Sequence, residues 1–423
     1  MIMSLLKKNI ILGLLTLIGT ITVRGQDTVR LSLEDIIKKV ETEYPLVLQY
    51  DSRIRALQSK VEGSKSWMPP TFSFGLNSFP YQLEMIKQKE DPMNWAALMF
   101  SAEQMIPNSA KLRGKRDYYF SLKEVQKNNA EWTKNILRTQ VQMLYYQRLV
   151  ADQKIELIGE SGELLHLFIT ILESRYAYNQ AELSTIFKAK AKLKELNNME
   201  AMAKAEVTES NIGLNTLMNQ PTDTPILLDT VVVLKNYDSI LLVQDTSTLQ
   251  RSDITSIASS IRSMELNRSS MATGSKPDFG LRISHMNMLG MPNQFSIMGM
   301  VTIPIVPWSS KMYKTEVQSM SYEIQSMNFE KENMKLMAVR MINEKLAMLK
   351  YERQQFDNYE EEIIPLYKKS MDANLLAFKQ NTGNFFVLLD AWEMLFMKQL
   401  EQLEKLNLLL RLQAEYEYET ERK

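Results

Sequence analysis

Apolar positions change their spacing in a fixed order along this chain, and they do so twice. Residues 31–66 place apolar side chains at helical spacing until Trp67-Met68-Pro69-Pro70 stops the pattern. Thr71-Phe72-Ser73-Phe74-Gly75-Leu76-Asn77 then alternates polar and apolar residues, the period of a strand with two unlike faces. After a loop, residues 96–104 alternate again, with Leu98, Phe100 and Ala102 on one face, and Ile106-Pro107-Asn108 ends the run. From Ser109 to about Tyr178 no proline interrupts, which predicts one very long helix; a second helix follows from about Ser184 to Asn219.

The second half repeats the order. A helix is predicted over 253–272, and Lys276-Pro277 breaks it. Phe279, Leu281 and Ile283 then alternate with Gly280, Arg282 and Ser284, and Phe295, Ile297, Gly299, Val301 and Ile303 recur at every second residue until Pro304 and Pro307. Helix resumes from Ser309 to about Phe378, breaks near Asn381-Thr382-Gly383-Asn384, and runs to the end. Pro69 matches Pro277, Ile106-Pro107 matches Ile303-Pro304, and Tyr178, Gln180 and Ala191 match Phe378, Gln380 and Ala391, each at a nearly constant offset. The chain therefore divides into a first repeat at 26–219 (strands about 71–78 and 95–105) and a second at 253–423 (strands about 279–286 and 294–304). Between them lies a linker at 220–252, rich in Thr, Asp, Val and Leu.

In the long helix Ile136, Met143, Val150, Leu157, Leu164, Ile171 and Tyr178 stand seven apart, and Leu137, Leu144, Ala151, Ile158, Leu165 and Leu172 keep the same period beside them. Sustained heptads impose left-handed supercoiling, and two adjacent positions per heptad predict neighbours on both sides. A helix of this length, at 1.5 Å per residue, spans about 100 Å, which suits a tube or stalk. The four strands have the length of tilted bilayer-spanning strands. Four cannot close a useful barrel; a trimer would supply twelve.

Composition narrows the classes. Fifty basic residues balance fifty acidic ones, which argues against nucleic acid as a partner. With no cysteine and only His166 and His285, thiolate sites and multi-histidine metal sites are excluded. No nucleotide, zinc-protease or serine-hydrolase motif is present, so neither an enzyme nor a resident cofactor is expected. Lys7 and Lys8 precede an uncharged run from Ile10 to Ile21, with small Val23 and Gly25 beyond, a pattern predicting a signal peptide over 1–25.

Methionine is abundant, 28 of 423 residues. Met286, Met288 and Met291 form an M-x-M-x-x-M cluster assigned to the second hairpin loop beside His285. Thioethers are soft ligands suited to Cu(I) and, by the same logic, Ag(I); incidental methionine usage is the competing explanation. Met298 and Met300 are expected to point into a barrel. Met320, Met327, Met334, Met341 and Met348 repeat every seven residues and read as packing. His166 is expected half-buried in the long helix.

These features resemble the TolC family of outer-membrane efflux channels over nearly the whole chain. The resemblance rests on Leu31-Ser32-Leu33-Glu34-Asp35-Ile36, Tyr44-Pro45-Leu46, the junction Gln104-Met105-Ile106-Pro107 with its following basic run Lys111, Arg113, Lys115 and Arg116, and the tip motif Phe378, Gly383, Leu389-Asp390-Ala391. At the first tip Ala181 replaces the turn glycine and Lys190 stands where an acid is usual. The resemblance implies a mainly α fold with a β-barrel part: a homotrimer with a 12-stranded barrel in outer-membrane lipid, continued by a periplasmic α-helical tunnel. It implies docking to a periplasmic adaptor and an inner-membrane pump of the RND type. Asp390 would line the periplasmic aperture, although an ordinary exposed acid on a helix equally accounts for it. Gln180, Ala181, Glu182, Leu183 and Ser184, with Gln380, Asn381, Thr382, Gly383 and Asn384, would be the docking tips, although turn chemistry alone also accounts for those residues. The expected function is an efflux exit duct, for heavy-metal cations or organic solutes; a soluble periplasmic adaptor is the rival, and it has no use for four strands with apolar faces.

Overall fold

The computed structural model describes residues 30–82, 84, 86, 95–229, 234–237, 239–244, 250–380 and 382–421. The expected leader at 1–25 and tip residue Asn381 lie outside the described residues. In order, the elements are β1 (Arg30–Leu31), α1 (Leu33–Glu43), α2 (Pro45–Gly63), β2 (Thr71–Asn77), β3 (Ala97–Ile106), α3 (Ser109–Tyr176), α4 (Leu183–Leu217), β4 (Leu227–Leu228), α5 (Ser252–Ala272), β5 (Asp278–Met288), β6 (Gln294–Thr302), α6 (Pro307–Asn358), α7 (Ile364–Lys379) and α8 (Phe385–Thr420).

The helix expected over 31–66 is two helices. Pro45 lacks an N–H and forces Tyr44 into extended backbone, so α1 ends and α2 begins with Pro45 in its first turn. Ser32 opens α1 with a capping box, its hydroxyl accepting from the Asp35 N–H while its own N–H donates to the Asp35 carboxylate. The helix expected from Ser309 to Phe378 is likewise divided, by a π turn at Tyr359–Ile363. Pro365 lies just beyond, where its ring and missing N–H disrupt the ladder.

Helix α3 is a single run of 68 residues. It packs against α2 and α5 near the sheet and against α4 and α8 farther away. Both predicted stripes are used: Leu137, Val150, Ala151, Ile158, Leu165 and Leu172 are buried, and half-buried Leu157, Leu164 and Ile171 pack against the same core as Ile158, Leu165 and Leu172. The methionine stripe of α6 behaves differently along its length. Met320 is buried and Met327 and Met334 pack on Ile257, Ile261 and Ile324, but Met348 is exposed and Ile342, Leu346 and Leu349 take over the core. A straight helix drifts about 20° per heptad, so a strict seven-residue stripe rotates off the interface.

Residues 220–252, expected as a linker, are partly built into the body. β4 pairs in parallel with β1. Buried Glu417 of α8 accepts from Gln142 (2.9 Å), Lys235 (2.6 Å) and Tyr237 (3.1 Å). Burial, with the Glu417 charge beside it, pushes the Tyr237 phenol well up. Arg251 is held by Asp253 and Glu419 and lies over the Trp132 ring. No helix among the described residues is long and apolar enough to cross a membrane.

Candidate functional site

Strands β2, β3, β5 and β6 form one antiparallel sheet in that order, with β2 and β6 as open edges. The registers put Phe74 opposite Phe100, Phe100 opposite His285, and His285 opposite Phe295 on one face, and Ser73, Ser101, Ser284 and Ser296 in a row on the other. The first face carries Phe72, Phe74, Leu76, Phe100, Phe279, Leu281, Ile283, Phe295, Ile297 and Val301, all exposed. Phe72 and Phe295 are as much as 77% and 75% exposed, which burial in lipid would relieve. The opposite face holds the serine row, whose Ser73 and Ser101 hydroxyls lie 2.6 Å apart. One rung below, Arg282 donates twice to Glu103 (2.5 and 2.9 Å). Exposed tryptophans flank the sheet at both ends, Trp67 and Trp308 beside the helices and Trp95 at the loop end, as in the aromatic girdles of membrane barrels.

The structure corrects the placement of the methionine cluster. Met286 and Met288 are not in the hairpin loop: the alternation continues, and β5 runs to Met288, so both lie on the serine-bearing face. Met291 alone is in the turn. His285, expected beside them, projects from the other face. Met298 and Met300 share the serine-bearing face as expected. Sequence reasoning missed Met99 and Met105, which also lie on this face; their alternation with Ser101 and Glu103 carried the signal. Met99 stands opposite Met286, whose sulfur accepts from the Asn77 amide (3.7 Å). Met105 stands opposite Gly280, which stands opposite Met300. His166, expected half-buried, is exposed.

At the far end the two tips are joined by an aromatic cluster. Phe385 contacts both Phe168 and Phe378 edge to face, with centroids 5.8 and 5.4 Å away. The first tip closes through Asn179, at φ 59°, whose left-handed backbone lets the Gln180 N–H reach the Arg175 carbonyl (2.9 Å). Gly383 has a different constraint: a Cβ there would lie 3.1 Å from the backbone of Ala377 and Phe378. Gln180, Glu182, Leu183, Ser184, Gln380, Thr382 and Asn384 are exposed, with Asn384 capping α8. Lys190 pairs with Glu173 (2.7 Å). Asp390 is exposed on α8, sharing one face with exposed Val387 and Met394.

No protein-family profile matches the sequence, and no curated protein matches it. Solved structures do match the fold. VceC, an outer membrane protein of Vibrio cholerae, has 13% identity and a TM-score of 0.73 over 92% of this chain and 95% of that one. The CmeC outer membrane channel of Campylobacter jejuni has 14% identity and a TM-score of 0.73 over 92% and 85%. CusC, whose structures concern transmembrane channel formation, has 12% identity and a TM-score of 0.72 over 92% and 91%. The chain has the mainly α fold expected of a TolC-like protein; these likenesses are to channels, not enzymes.

Proposed function

We propose that this chain is the outer-membrane exit duct of a tripartite efflux system, working as a homotrimer. The observation that carries the proposal is the sheet: an exposed aromatic and aliphatic face, a polar opposite face, and two edges unpaired among the described residues. Open edges with an apolar face are unstable in water and in lipid. Pairing β6 of one copy with β2 of the next is a head-to-tail contact that closes as a ring, and three copies give twelve strands. The long helices would then continue the pore through the periplasm, and their tips would meet an adaptor and an RND-type pump. Asp390 from three copies would form an acidic ring at the entrance, favouring cations.

For cargo we propose soft monovalent cations, Cu(I) or Ag(I), because thioethers line the polar face of the sheet. The test has two parts. The purified protein should have the mass of a trimer in mild detergent; a monomer defeats the ring. Deletion of the gene should sensitise cells to copper and silver; sensitivity to hydrophobic antibiotics alone would mark an organic-solute duct.

A further inference from the structure

Resting on the duct reading, we propose that the inner face of the sheet carries two thioether stations for a soft cation, one at Met105 and Met300 over Gly280 and one at Met99 and Met286. The segregation of methionine is the first argument. On β3, β5 and β6 the inner face holds Met99, Met105, Met286, Met288, Met298 and Met300, while the outward face of all four strands holds none. Methionine used merely as an apolar filler would appear on the lipid-facing side, where apolar surface is needed most. Instead that side is built from Phe, Leu, Ile and Val, and the only large apolar side chains facing inward are thioethers.

Gly280 supplies the second argument. A Cβ there would meet the Met105 sulfur at 2.6 Å and the Met300 methyl at 3.0 Å. The absent side chain is what lets thioethers from the two flanking strands come together on the inner face. Six residues farther along the strands, Met99 and Met286 form a cross-strand pair, with Asn77 holding the Met286 side chain. At about 3.3 Å per residue the two stations are about 20 Å apart. Between them lie the serine row and the Glu103–Arg282 pair, whose charges cancel. Conduction needs sites that are weak and repeated rather than one tight site, and thioethers meet that need for Cu(I) or Ag(I) while leaving hard cations alone.

The experiment uses the full-length protein and silver nitrate, in nitrate salts to keep silver in solution. In planar bilayers, silver should reversibly lower the potassium conductance. Met105→Leu/Met300→Leu and Met99→Leu/Met286→Leu should each weaken that block several-fold, and the fourfold variant should remove it; leucine is close in volume and preserves packing. X-ray absorption at the silver edge, on protein in detergent, should report sulfur neighbours that the fourfold variant loses. Met320→Leu/Met327→Leu/Met334→Leu should change neither readout. Unaltered block and silver–sulfur contacts in the fourfold variant, or no silver effect on an open channel, would overturn the proposal. A folded trimer with no conductance would refute the duct itself, and the absorption measurement would still decide the stations.

Discussion

The guanidinium of Arg175, in the last turn of α3, lies over the Phe378 ring at the end of α7, 4.1 Å from its centroid, and donates to the Phe378 carbonyl (3.4 Å). One side chain thus joins the first tip to the second. A cation over an aromatic face is worth about 0.5–2 kcal/mol. Arg175→Ala is expected to accelerate hydrogen exchange in both tips several-fold and leave the residues around Glu417 unchanged. Equal exchange in the variant would show that the aromatic cluster alone holds the tips.

Gly383 separates turn chemistry from docking. Gly383→Ala forces a Cβ against the Ala377–Phe378 backbone and is expected to cost about 1–3 kcal/mol, read as a lower Tm. Docking is better tested at exposed Gln180 and Gln380. Changing both to Arg is expected to abolish export while Tm and trimer mass stay unchanged. Normal export in that variant would remove the docking assignment.

Glu417 is the buried acceptor on which the segment after β4 converges. Glu417→Ala leaves Gln142, Lys235 and Tyr237 without that partner and is expected to cost about 1–3 kcal/mol. Glu417→Gln, which keeps an oxygen, should cost less. Thermal unfolding of the two variants should rank them in that order.

The π turn carries a pH dependence. Hydrogen bonds from Lys398 and from Tyr359 hold the Glu401 carboxyl below its ordinary value. A depressed carboxyl contributes stability that is present above the ordinary glutamate range and lost as pH falls through the depressed value. Protection factors at residues 359–363, corrected for the intrinsic pH dependence of amide exchange, are therefore expected to fall on acidification into that range. Glu401→Gln should show the reduced protection already at neutral pH and no further loss of protection in acid.

The sequence by itself determined the four long strands and most of the helices, because periodicity reports which side chains share a face of one helix or strand, but it ran α1 into α2 and α6 into α7 and read β4 as linker. It also determined the two faces of each strand, and it placed Met298 and Met300 on the face opposite Phe295 and Ile297, which carries the serine row. It misjudged where β5 ends, since Met286 and Met288 resemble loop residues only when their alternation with His285 and Asn287 is overlooked. Tertiary structure alone decided what meets across elements. Glu103 and Arg282, Met105 and Gly280, Arg175 and Phe378, and Lys235 and Glu417 are each separated by about the length of a repeat. Periodicity fixes a face but not the register between faces. That register is set by the packing of α3 against its neighbours and by the order of the four strands, which no local pattern records.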